Sequence, residues 1–81
     1  MARTRRVDEP RAVAVRTDDD GVPLAVGPAA VEGVREEWVV EDIWWTPRPL
    51  SRRYFELALA GGRAVIVFRD LGNGRWFRQR S

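Results

Sequence analysis

Apolar and polar residues along this chain alternate in short runs, and glycine, proline and acidic residues punctuate the runs. That is the pattern of β-strands rather than of helices. Arg11–Arg16 reads RAVAVR and predicts a short strand with Val13 and Val15 on one face. Thr17–Gly21 (TDDDG) predicts a turn, because three adjacent like charges seek solvent and Gly21 permits a positive φ. Val22–Val26 (VPLAV) returns as a second strand with Val22, Leu24 and Val26 on one face. Pro23 has no N–H to give a ladder, so this strand lies at an edge or begins after it. Gly27-Pro28 then breaks the chain again.

Ala30–Trp45 has two readings. Val31, Val34 and Trp38 stand at helical spacing, which allows a short helix over residues 30–38. Gly33 and the β-branched pair Val39-Val40 favour a long strand, with Val34, Trp38 and Val40 sharing a face. Trp44 and Trp45 are adjacent, so in an extended chain they point to opposite sides. Thr46–Leu50 (TPRPL) is a proline-spaced connector. Arg53–Ala60 and Arg63–Asp70 flank Gly61-Gly62, which predicts a hairpin with a two-residue loop. In that register Leu59 faces Ala64, Leu57 faces Ile66 and Phe55 faces Phe68, and all six share one apolar face. Leu71–Gly74 (LGNG) predicts a turn with Gly74 in the left-handed conformation, and Arg75–Gln79 is the last strand.

These elements predict an all-β domain over residues 10–81. It is a small antiparallel five- or six-stranded SH3-like barrel, or a strongly bent meander sheet. Residues 1–9 are polar, stop at Pro10, and read as a disordered arm.

Composition narrows the chemistry. The chain has 81 residues and no cysteine or histidine. Disulfides, thiolate nucleophiles and the common zinc ligands are therefore excluded. A chain this size buries only about 60–65% of its unfolded surface, so packing must be compact. No apolar run approaches the roughly 20 residues a membrane span needs. The basic N-terminus lacks the apolar stretch of a signal peptide, which makes the cytoplasm the expected location.

Every basic residue is arginine, fourteen in all, and the net charge is +2. A GC-rich genome accounts for that bias without any function; selection for stacking and bidentate contacts is the functional alternative. The charges are unevenly placed. Residues 1–6 carry +3, residues 7–43 carry −7 and residues 44–81 carry +6. Such a split either puts opposite charges on different surfaces or pairs the two halves with each other.

Catalysis is hard to build from these residues. Ser51 has no histidine or lysine to activate it, and carboxylates alone would do all acid–base work. Asp18–Asp20 lacks the alternating ligand spacing and distal glutamate of a calcium loop. Glu36-Glu37 and Glu41-Asp42 put neighbouring carboxylates on opposite faces of a strand. No glycine loop suits a phosphate. The expectation is a protein that is not an enzyme, with no cofactor, no metal and no small-molecule substrate.

Binding is easier to build. Arg48, Arg52 and Arg53 lie near Trp44 and Trp45 in the chain, while Arg69, Arg75, Arg78 and Arg80 lie near Tyr54, Trp76 and Phe77 on the later strands. Arginines on phosphates and aromatics under bases are the pieces of a single-strand binder. Trp44, Trp45, Arg48, Arg52, Arg53, Tyr54, Arg69, Arg75, Arg78 and Arg80 are the candidate nucleic-acid or partner contacts. The bland alternative is that the aromatics are core, and that the arginines are solvated or neutralise Glu36, Glu37, Glu41 and Asp42.

One resemblance adds context. Trp44-Trp45, Arg48-Pro49, Ser51–Phe55 (SRRYF), Gly62-Arg63, Phe68–Leu71 (FRDL) and Gly74–Gln79 (GRWFRQ) resemble a small domain of unknown function from actinobacteria and related phyla. That domain occurs alone or at the C-terminus of Y-family translesion-polymerase-like proteins. The likeness covers residues 38–80 and, more loosely, 11–26. It assigns no catalytic residue. It implies a non-catalytic accessory module, associated with nucleic acid in DNA-damage tolerance, with DNA or a repair-polymerase-like protein as partner. The alternative is a protein–protein interaction module that uses an edge strand or the Trp44–Pro49 surface.

Overall fold

A computed structural model describes residues 10–42 and 50–79, and these residues form an antiparallel β structure with no helix. The strands are β1 (Arg11–Ala12), β2 (Val15–Thr17), β3 (Pro23–Val26), β4 (Ala29–Asp42), β5 (Leu50–Leu59), β6 (Ala64–Asp70) and β7 (Trp76–Gln79). Their order in the sheet is β1-β7-β6-β5-β4-β3-β2. The arm 1–9 and the tryptophan-proline connector fall outside the described residues. Among the described residues, no helix is long and apolar enough to cross a membrane.

Seven strands stand where five or six were expected, because the RAVAVR run divides. β1 and β2 are separated only by Val13-Ala14, yet they occupy opposite ends of the strand order. Val13 N–H donates to Trp76 O (3.1 Å), and Gly27 N–H donates to Ala14 O (2.7 Å). One short stretch of chain thus bonds to both ends of the sheet, which curls the sheet into a half-barrel.

The stretch over 30–38 is strand, not helix. Opposite β5, Glu32 and Arg35 are each skipped by the pairing, so β4 carries two bulges. Each bulge inserts one residue and shifts the alternation of side chains. Val31 and Val34 therefore share the face of Leu59 and Leu57 although they are three residues apart. The apparent helical spacing is a bulge signature. It also overturns the expected face of Val34, which lies opposite to that of Trp38 and Val40. A third bulge places Leu24 outside the β2–β3 pairing. Leu24 is exposed while Pro23 and Val26 are buried, so Val22, Leu24 and Val26 do not share a face.

The β5–β6 hairpin differs from expectation by one residue. Leu59 N–H donates to Arg63 O (2.7 Å), and Gly62 N–H donates to Leu59 O (3.0 Å). The loop is therefore Ala60-Gly61-Gly62, with Gly61 at φ 95° and Gly62 at φ 89°. Drawing Ala60 into the loop slips β6 by one position, and a one-residue slip moves each of its side chains to the other face. Leu57 faces Val65, Phe55 faces Val67, Tyr54 faces Phe68 and Glu56 faces Ile66. The inner core is thus Val26, Phe55, Leu57, Leu59, Val65 and Val67, with Trp76 packed against it. Ala64, Ile66 and Phe68 belong to the other face. Gly74 does take the expected positive φ, at 75°.

Candidate functional site

The corrected register builds a different aromatic surface. Trp38, Tyr54, Phe68 and Phe77 lie directly across from one another on β4, β5, β6 and β7. Their rings form a ladder on the outer face. Trp38 and Tyr54 are 5.3 Å apart and nearly parallel (7°), Tyr54 and Phe68 are 4.9 Å apart, and Phe68 and Phe77 are 5.3 Å apart. Phe68 is fully buried although it faces away from the inner core. Trp38 was not among the expected contacts, and Phe77 entered only as an aromatic neighbour of the C-terminal arginines. The signal for them lay in cross-strand register, which the bulges and the hairpin loop obscure.

The arginines do not gather on one surface. Arg52 lies on the outer face, its Cζ 4.5 Å from the centre of the Phe68 ring, and its Nη1 donates to the Tyr54 hydroxyl at 3.4 Å. Arg75 reaches the Phe77 ring at 6.0 Å. Arg53 and Arg69 lie on the inner face directly across from each other. Arg53 is already engaged: its Nε donates to Glu37 Oε2 (2.6 Å), its Nη1 to Asp20 O (3.2 Å), and its Cζ sits 4.8 Å from the Phe55 ring centre. Among the described residues, Arg52 Nε and Arg69 Nε are buried without a hydrogen-bond partner. Arg78 faces Arg11 across β7 and β1, beside an open cleft of about 520 Å³ that Glu56 also lines. Trp44, Trp45, Arg48 and Arg80 lie outside the described residues.

Asp18 does not stand as a free carboxylate. Its Oδ1 accepts from the N–H groups of Asp20 and Val22, both at 2.9 Å, and so it organises the turn. Asp70 does the same for the β6–β7 loop through Gly72 N–H (2.8 Å) and Asn73 N–H (3.3 Å). No group of three or more acidic residues among the described residues is arranged to hold a metal ion.

The sheet also has an open edge. β4 pairs with β5 from Val31 to Asp42, but it pairs with β3 only at Ala29 and Ala30. Beyond Ala30, its other side pairs with no described residue. Past the bulge at Arg35, residues 36–42 run one-to-one against β5, so this half of the edge is regular. Val39 on it is 54% exposed.

No known protein family, curated protein or solved structure matches this chain.

Proposed function

We propose that this protein is a non-catalytic interaction module, built on an SH3-like half-barrel, that takes an extended segment of a protein partner onto the open edge of β4. The observation that carries this reading is the regular run Glu36–Asp42, paired on one side only among the described residues. A row of unpaired N–H and C=O groups is a template for one more strand. The bulges at Glu32 and Arg35 interrupt the same edge on its N-terminal side, which confines docking to residues 36–42. The resemblance to the translesion-polymerase-associated domain would put such a partner among repair-polymerase-like proteins. Selection of binders from a library of extended peptides, followed by amide mapping, tests the reading. Bound peptides should protect every second amide of residues 36–42 from exchange. Protection confined to other strands would rule the edge out.

Association with nucleic acid is the second reading, and one observation favours it. Arg52 and Arg75 place guanidinium groups over the outer aromatic ladder. Against it, the rings of the ladder stack on one another, so their faces are largely taken. Labelled single-stranded and duplex DNA should bind most tightly at low salt if phosphates are contacted. Absence of binding at low salt would remove this reading.

A further inference from the structure

The side chains along the β4 edge point to the chemistry of its partner. On residues 36–41 the outer face carries Glu36, Trp38 and Val40, and the inner face carries Glu37, Val39 and Glu41. Glu37 is ion-paired with Arg53. Glu36 and Glu41 are exposed, and neither has a cationic partner among the described residues. Glu36 also lies directly across from Glu56 on the same face. Like charges directly opposed weaken a sheet. No described residue forms a salt bridge with this pair, although Arg11 and Arg78 line the same cleft as Glu56, which is half-buried.

A strand added to this edge would place one residue opposite each of residues 36–41. A basic side chain opposite Glu36 would come within about 5 Å of it between Cβ atoms, beside the Glu36–Glu56 pair. A second basic side chain would meet Glu41. Residues 36 and 41 are five apart, so their side chains point to opposite faces, and the two basic residues of the partner must do the same. Between them, Val39 and Val40 offer apolar contact on both faces.

Resting on the interaction-module reading, we propose that the β4 edge recognises an extended protein segment with two basic residues five positions apart and β-branched residues between them. A second copy of β4 does not fit. Antiparallel self-pairing centred on Val39 sets Glu37 against Glu41, and centring on the Trp38–Val39 bond sets Glu36 against Glu41.

The probe is a capped peptide containing Arg-Val-Val-Thr-Thr-Arg, titrated into the full chain with amide shifts and fluorescence anisotropy as readouts. It should perturb amides 36–41. A peptide with both arginines replaced by glutamate should bind about tenfold more weakly, as expected for the loss of two rim charge pairs. The variant Glu36→Arg/Glu41→Arg should reverse that preference, and Glu36→Gln/Glu41→Gln should abolish it. Equal binding of the two peptides would overturn the charge rule while leaving edge docking intact. Only one alternate set of peptide amides can face β4, so if N-methylation of neither set weakens binding, edge docking itself fails. Failure of the arginine peptide to bind would overturn the proposal. So would amide shifts at 36–41 that grow with protein concentration alone, which would assign the edge to a second copy.

Discussion

Tyr54 stands directly across the sheet from Phe68, with their ring centres 4.9 Å apart. This pairing divides the described aromatic residues between two surfaces. Phe55 and Trp76, 5.8 Å apart, fall to the inner core, while Trp38, Tyr54, Phe68 and Phe77 fall to the outer ladder. Aromatic pairs of this kind contribute about 0.5–1.5 kcal/mol each beyond the area they bury.

The register can be trapped chemically, since the chain has no cysteine of its own. Glu56 faces Ile66, so Glu56→Cys with Ile66→Cys should form a disulfide on mild oxidation. Glu56→Cys with Val67→Cys should not, because Val67 lies on the inner face. Mass spectrometry of the oxidised, digested protein distinguishes the two, and the opposite result would restore the two-residue loop.

Phe68 is fully buried on a face that is not the main core, and Arg52 lies over its ring. Phe68→Ala should destabilise the fold by about 3–5 kcal/mol in urea unfolding. Arg52→Lys keeps the charge but loses the planar group that stacks, and it should cost about 1 kcal/mol. An unchanged urea midpoint for Arg52→Lys would mean that the stacking contributes nothing to stability.

Much of the fold was legible in the chain, and the misses share one cause. The turns at Asp18–Gly21, Gly27-Pro28 and Leu71–Gly74 announced themselves through residues that tolerate positive φ or cap their own backbone. Strand existence followed from β-branched runs. What alternation cannot reveal is where a residue is skipped. Glu32, Arg35 and Leu24 are bulge residues, and Ala60 was absorbed into a loop; each shifts the period-two pattern by one. The candidate site suffered most, because a surface is defined by which side chains share a face. Tyr54 and Arg52 do share one, with Phe68. Arg53 and Arg69 lie on the other. The split charge distribution did foreshadow one contact, the pairing of Arg53 with the acidic strand at Glu37.

Two turn glycines with positive φ should respond differently to substitution. Gly27 has φ 56°, and a Cβ there meets nothing within 4 Å. Gly27→Ala should therefore show only the conformational cost, about 1–2 kcal/mol. Gly21 has φ 81°, and its Cβ would approach Arg53 Nη1 to 3.2 Å. That guanidinium is held by Glu37 and Asp20, so Gly21→Ala should cost more than Gly27→Ala. Thermal or urea unfolding of the two variants gives the comparison, and a smaller loss at Gly21 would show that Arg53 yields freely.

The Arg53–Glu37 bond decides how much charge the β4 edge presents, because Glu37 is one of its carboxylates. Both side chains are partly exposed, at 27% and 39%, so water and salt screen the pair. A double-mutant cycle with Arg53→Met and Glu37→Gln should give a coupling of about 0.2–1 kcal/mol, falling as salt is raised. The single variants should not be equivalent. Arg53→Met also removes the donor to Asp20 O and the cation over Phe55, so it should lose more stability than Glu37→Gln. Glu37→Gln should in turn leave Arg53, across from Arg69 on the neighbouring strand, without its carboxylate partner. Extra salt should then stabilise Glu37→Gln relative to the parent, because screening relieves the like-charge pair and no ion pair remains to be weakened. A salt response equal to that of the parent would show that the two guanidinium groups do not repel one another measurably.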